Sequence, residues 1–148
     1  MRKLTFQWCL TPLIYCLNAM TNKKLIFIYN ADTGLFNTVT DIAHKIFSPK
    51  SYECQLCKIT HGWFSMHEEW SKGIEKLGCE IEYLHRDQLG ERYSDLRSTL
   101  EFPCILLESE THQAQVLIKK QEIEQCSEIN AMLEAITQKL NDGKNNAG

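Results

Sequence analysis

The sequence predicts an α/β domain in which a central four-stranded mixed sheet is flanked by helices. Three observations lead there. Leu25-Ile26-Phe27-Ile28-Tyr29 is a short, almost wholly apolar run, the pattern of a strand buried on both faces. Segments of helical period separate it from a second, alternating, strand-like segment. Further on, a Pro-led apolar run is followed at hairpin distance by one more strand pattern. At 148 residues, 43% hydrophobic and 24% charged, the chain has the size and composition to bury one core of its own.

Each element has a local reason. Asn30-Ala31-Asp32-Thr33-Gly34 ends the first strand, and Asp32 or Thr33 is placed to cap the next helix. That helix is predicted over residues 35–47, with Leu35, Val39, Ile42 and Ile46 among its buried face. Asn37, Asp41 and His44 form a polar stripe along it, and Ser48-Pro49 stops it. A cysteine-bearing loop follows, as far as Gly62. Ser65 with Glu68 reads as a capping box opening a second helix, whose stripe is Met66, Trp70, Ile74 and Leu77. Gly78 suits the position just past its end.

Residues 79–84 alternate, with Cys79, Ile81 and Tyr83 on one face, and form the second strand. Residues 87–97 read as one short helix using Leu89, Tyr93 and Leu96. Phe102-Pro103 leads the third strand, 104–107. Residues 108–111 turn, and 113–118 return as its hairpin partner. Ser127 is placed to cap a closing helix that buries Ile129, Met132, Leu133, Ile136 and Leu140. The domain thus spans 20–140, and residues 141–148 form a polar tail expected to fray.

Residues 1–19 are less well defined. Arg2 and Lys3 precede an apolar run, as in a secretory signal, but Gln7, Thr11 and Pro12 interrupt it and no small-x-small cleavage site follows. Three readings stand open: Met20 is the working start, the segment is a weak signal or anchor, or it is an ordered helix. A membrane partner would require that the first 19 residues be retained as an anchor.

Composition excludes two classes. Net charge is −3 and the Lys and Arg residues are scattered, so no basic stripe marks a nucleic-acid surface. The seven cysteines are odd in number and irregularly spaced, which is not a secreted disulfide framework. Cys79, Cys104 and Cys126 lie in apolar patterns, where a thiol behaves as a small hydrophobe. This usage fits a reducing compartment, and the expected location is cytoplasmic.

Cys54 and Cys57 stand apart, in Tyr52-Glu53-Cys54-Gln55-Leu56-Cys57-Lys58-Ile59-Thr60-His61. Two thiols at this spacing can form a redox pair, with one of depressed pKa and a second to resolve a mixed disulfide. Lys58 and His61 could favour the thiolate, and the partner would be a protein thiol. No cofactor is then needed. The same cysteines, with His61, His44 or His67, could instead bind zinc. A third reading is an interaction protein without catalysis, its cysteines inert. Lys58 follows Cys57 where covalent haem attachment needs His. Asp41 and His44, spaced i, i+3, could tune the thiols if the loop folds back over their helix; otherwise they are a solvated face. Asp32-Thr33-Gly34 could hold an anion on the helix's first N–H groups, or simply cap it. A single such triplet in a helix-rich chain does not make an aspartic protease.

Two resemblances follow from these motifs. The order of strand, helix, helix, strand, helix, Pro-led strand, strand and helix resembles the thioredoxin-like arrangement. That resemblance implies a cis peptide bond at Phe102-Pro103, lying beside the redox cysteines, and makes Cys54 the attacking thiol by analogy. The chain departs from the pattern in one respect: Asp32-Thr33-Gly34 occupies the junction after the first strand where the cysteines belong. Tyr29-Asn30-Ala31-Asp32-Thr33-Gly34, Asp41-Ile42-Ala43-His44-Lys45, Ser48-Pro49, residues 52–57 and Thr60-His61-Gly62 together resemble a family of small bacterial α/β proteins of uncharacterised activity. A GTPase label attached to that family finds no phosphate-binding G-x-x-x-x-G-K-[ST] loop here.

Overall fold

The computed structural model describes residues 23–33, 54–62, 65–111 and 113–145. The extension 1–19, the helix expected over 35–47 with Asp41 and His44, and also Gly34, Trp63, Phe64 and the last residues of the tail lie outside them.

Four strands form one mixed sheet in the order β2-β1-β3-β4. β1 (Lys24–Tyr29) pairs in parallel with β2 (Glu80–His85) and antiparallel with β3 (Cys104–Glu108). β3 pairs antiparallel with β4 (Ala114–Ile118) as a hairpin. The apolar run is therefore central, and Leu25, Phe27, Ile26 and Ile28 are fully buried. Alternation along β1 divides two cores. Leu25, Phe27 and Tyr29 join Leu56, Ile59, Trp70, Ile74, Met132, Ile136 and Leu140 on one face. Ile26 and Ile28 join Leu89, Tyr93, Cys104 and Leu106 on the other.

The first core is packed by α1 (Gln55–Thr60), α2 (Glu68–Glu75), α4 (Lys120–Gln125) and α5 (Ile129–Asn145). Trp70 fills its middle. Its ring meets Phe27 edge-on at 5.5 Å, and its indole N–H donates to the Tyr83 hydroxyl at 3.0 Å. The second core is covered by a 3-10 turn (Arg86–Gln88), the one-turn α3 (Ser94–Arg97) and the chain that leads to Phe102.

Several boundaries differ from the sequence expectation, each for a local reason. The cysteine loop contains a helix, α1, too short to raise a periodic signal. Ser65 and Glu68 make no capping box. α2 starts at Glu68 behind His67, which makes no side-chain cap. The Ser65 carbonyl instead accepts the Gly62 N–H at 2.8 Å, and His67 N–H donates to the Thr60 carbonyl at 2.9 Å. His61 and Met66 form an isolated antiparallel bridge, so this stretch doubles back before the helix begins. The helix expected over 87–97 is two pieces, because Gly90 at φ +53° is left-handed and no right-handed helix passes through it. Gly78, at φ +64°, does sit just beyond α2. α4 was not anticipated. α5 reaches Asn145, so part of the expected tail is helix.

At one end of the sheet, Glu108 is a carboxylate only 5% exposed at its side chain. Arg92 Nη2 reaches both of its oxygens at 2.7 Å, and the Tyr93 hydroxyl donates at 3.1 Å. A buried carboxylate stripped of its cation costs more than the pair contributes. Arg92→Ala is expected to lower stability by about 1–3 kcal/mol, read as a fall in the urea midpoint at constant slope. Glu108→Gln, which removes the buried charge, should cost less.

Candidate functional site

The cysteine pair lies at the carboxyl end of β1, where the parallel strands β1 and β2 finish. That is the end at which open α/β sheets commonly build sites. Cys54 is the N-cap of α1 and is 2% exposed, while Cys57, one turn on, is half-buried. The Cys57 N–H donates to Cys54 Sγ at 3.4 Å. Backbone N–H groups of Leu56 and of Asn30, the first residue after β1, also favour its charged form. The segment 54–57 thus comes back to the strand end despite its distance in sequence.

These donors decide the chemistry of the thiol. Burial without them can be seen at Cys104, 1% exposed, whose thiol is pushed up to about 12. Cys54 is equally buried, yet its thiol is drawn down to about 7. The Cys57 thiol is the main cause; burial opposes, and the N–H groups of Cys57, Asn30 and Leu56 assist. Hydrogen bonds to a charged group are worth about 1.5–3 kcal/mol each, enough together to outweigh burial.

A polar cluster borders the pair. The Tyr29 hydroxyl lies 3.0 Å from Thr60 Oγ1, which lies 2.7 Å from His61 Nδ1. The rings of Tyr29 and His61 meet edge-on at 5.6 Å, and the His85 ring lies 5.9 Å from that of Tyr29. Burial raises the Tyr29 pKa. The charges of Cys57 and Cys54 add to that, so both sulfurs lie within electrostatic reach of the phenol.

Asp32 and Thr33 leave the same strand end. Arg86, directly after β2, grips Asp32 through Nε and Nη2, both at 2.7 Å. Its guanidinium holds the Asp32 carboxyl below the usual range. The Thr33 N–H and hydroxyl both donate to the Asp87 carboxylate, at 3.1 and 2.8 Å. The anion on Thr33 is therefore the chain's own Asp87. Together these contacts tie the segment after β1 to the segment after β2.

Phe102-Pro103 is cis. Because Ile28 pairs with Cys104, Pro103 falls at the strand end that carries Tyr29 and Asn30. Of the residues singled out from sequence, Cys54, Cys57, His61, Asp32, Thr33 and Pro103 therefore share one end of the sheet. Gly34, Asp41 and His44 lie outside the described residues. Tyr29 and Thr60 entered the sequence reading only within the motifs of the resembled family, and Arg86 and Asp87 were not singled out for the site. Tyr29 read as the last position of the first strand, and Thr60 as one more residue of the cysteine loop.

Among the described residues no three His, Cys, Asp or Glu side chains converge in a way that could hold a metal ion. Among the described residues no two cysteines are joined by a disulfide. Among the described residues no helix is long and apolar enough to cross a membrane. No family model, no curated protein and no solved structure matches the chain.

A thiol lowered in the folded state contributes stability above its unfolded pKa, and loses it as pH falls through about 7. The thiolate ultraviolet absorbance of the reduced protein should accordingly titrate with a component near 7. Cys57→Ala removes the main donor and should move that component up towards or past the ordinary thiol range. A component that stays in place in this variant would mean that the backbone N–H groups suffice.

Proposed function

We propose that this chain is a thiol-disulfide redox protein of thioredoxin-like arrangement, working on a protein thiol partner in a reducing compartment such as the cytoplasm. The observation that carries the reading is the setting of Cys54, a buried N-cap of α1 whose Sγ accepts the Cys57 N–H at 3.4 Å; such donors favour the thiolate, whereas burial alone raises the thiol of Cys104. The β2-β1-β3-β4 order, with β1 and β2 parallel, supports the same reading. A zinc module would use Cys54 and Cys57 with His61 or His44. The described residues bring no third ligand into place.

Exposure divides the roles differently from the analogy that made Cys54 the attacking thiol. Cys57 is the sulfur that an incoming disulfide can reach, and Cys54 is the ionisable sulfur behind it. In the exchange, the Cys57 proton passes to Cys54, and the Cys57 thiolate attacks one sulfur of the partner's disulfide. That bond breaks, its other sulfur leaves with the electron pair, and a mixed disulfide forms on Cys57. Cys54 then gives up its proton and attacks Cys57. This closes the Cys54–Cys57 bond and releases the partner's second sulfur. Two electrons pass from the pair to the partner.

Oxidised glutathione tests this directly. The wild type should lose two hydrogens by mass, reversibly with reductant, without a lasting adduct. Cys54→Ser should accumulate a glutathione adduct on Cys57, and Cys57→Ser should react far more slowly. Adduct formation only in Cys57→Ser would reverse the two roles. Equal behaviour of wild type and both variants would remove the redox reading.

A further inference from the structure

α1 opens between the two cysteines, and at six residues it is too short to hold its helical form alone. Its neighbours hold it. The second half is pinned at several points: Ile59 and Thr60 are buried, the Thr60 hydroxyl donates to the Leu56 carbonyl at 2.9 Å, and the Thr60 carbonyl accepts the His67 N–H at 2.9 Å. The first turn is the one that would react. There Cys54 caps the helix, its carbonyl accepting the Lys58 N–H at 3.2 Å and its Sγ the Cys57 N–H at 3.4 Å. Leu56 packs this turn into the core, but apolar contact is non-directional and fixes depth more than orientation.

Orientation comes from Gln55. It is the first residue of α1, half-buried, and its Nε2–H donates to the Cys126 carbonyl at 2.8 Å. A carbonyl oxygen only accepts, so the amide nitrogen is the atom that faces it. Cys126 is the C-cap of α4, and helix ends leave carbonyls without an intrahelical partner. The acceptor is itself held: the Cys126 N–H donates to the Ile123 carbonyl at 3.0 Å, and its Sγ to the Glu122 carbonyl at 3.4 Å. A directional bond thus ties the first turn of α1 to an element 71 positions on.

Such a tie acts unequally on the two redox forms of the pair. In the dithiol, Cys54 Sγ accepts from the turn's N–H groups, and accepts best when ionised. In the disulfide the same sulfur is bonded to Cys57 and carries no charge for those groups to favour. Holding the turn in place therefore stabilises the dithiol more than the disulfide.

We propose that Gln55 is a positioning residue: its bond to the Cys126 carbonyl holds the Cys57 N–H on Cys54 Sγ and so shifts the pair's equilibrium from disulfide towards dithiol. This role rests on the redox reading. The equilibrium is set against glutathione. The Cys54 and Cys57 S–H bonds and the S–S bond of glutathione disulfide break, one S–S bond closes between the two cysteines, and two protons and two electrons pass to glutathione, which leaves as two thiols.

The experiment equilibrates the full-length wild type and Gln55→Met in glutathione buffers of graded composition and reads the Cys54–Cys57 disulfide by mass. Methionine keeps the length of the side chain and removes its donor. The midpoint, expressed as [GSH]²/[GSSG], should rise about three- to tenfold in Gln55→Met. Asn130→Leu removes a different tie, the 3.1 Å bond from Asn130 to Glu69, and should leave the midpoint in place. An unchanged midpoint in Gln55→Met overturns the proposal, and so does an equal shift in both variants. Urea unfolding of each redox form gives a second measurement. Gln55→Met should lower the midpoint of the dithiol more than that of the disulfide, and equal losses would reduce Gln55 to a structural tie. A wild type that forms no Cys54–Cys57 disulfide at any composition removes the redox reading and this proposal together. A wild type that forms it, with Gln55→Met indistinguishable, removes this proposal alone.

Discussion

Everything described depends on β1 being paired on both edges and buried on both faces. A parallel partner on one edge and an antiparallel one on the other satisfy its backbone N–H and C=O groups, leaving side chains to be covered from above and below. Leu25, Phe27 and Tyr29 point to the helices of the larger core, and Ile26 and Ile28 to the smaller. A polar residue inside the strand would face desolvation on either side, which explains the near absence of one in the run 25–29. The polar groups begin where the strand ends. Tyr29 is its last position and the first with a hydroxyl to satisfy, which Thr60 does. The transition from dry strand to polar end is where the sulfur chemistry sits.

The two segments leaving β1 and β2 are fixed to one another by Asp32–Arg86 and Thr33–Asp87. Exposed ion pairs taken singly contribute little, and both carboxylates are open to water, so stability is not the main consequence. Geometry is. Arg86 also reaches Asn30 Oδ1 at 3.4 Å, and the Arg86 N–H donates to the Ala31 carbonyl at 3.2 Å. Asn30 is the residue whose N–H faces Cys54. The charged clamp therefore holds the backbone that holds the sulfur. Its exposed chemistry and the buried thiol are linked through one peptide unit.

The strands were legible in the sequence because their signals are local and redundant. The run 25–29 is apolar throughout, 79–84 alternates, and Phe102-Pro103 punctuates the third strand. The fold class followed from their order. What was not legible has a common cause: features decided by one contact far away in sequence. α1 is six residues long, shorter than the window in which periodicity can be recognised. Ser65 has the residue type of a cap, but its carbonyl is taken by Gly62 in a turn. Asp32 reads as a helix cap by its neighbours, yet its carboxylate goes to Arg86, 54 positions on. Thr60 has no chemical signature of its own in the sequence, and its place emerges only from the three atoms around its hydroxyl.

The sequence departs from the thioredoxin-like pattern in one respect that bears on the thiolate: Asp32-Thr33-Gly34, not the cysteines, follows the first strand, so the N-terminus of the helix expected there gives them no help. The geometry answers it in terms of range. The influence of a helix N-terminus falls off within its first turn, since it comes from a few unpaired N–H groups and not from the helix as a whole. A six-residue helix presents the same first-turn N–H groups as a long one. At Cys54 those of Leu56 and Cys57 are joined by one from Asn30, which belongs to a different element. Cys126, in the same core and less deeply buried, shows the converse. Its thiol donates to the Glu122 carbonyl at 3.4 Å, and its pKa is raised by burial and by the nearby Glu122 charge. A thiol that gives its proton to an acceptor is held neutral, and a thiol surrounded by donors is held ready to ionise. The difference between an inert and an ionisable cysteine in this chain lies in which backbone groups the fold turns towards the sulfur, and at Cys54 they are all donors.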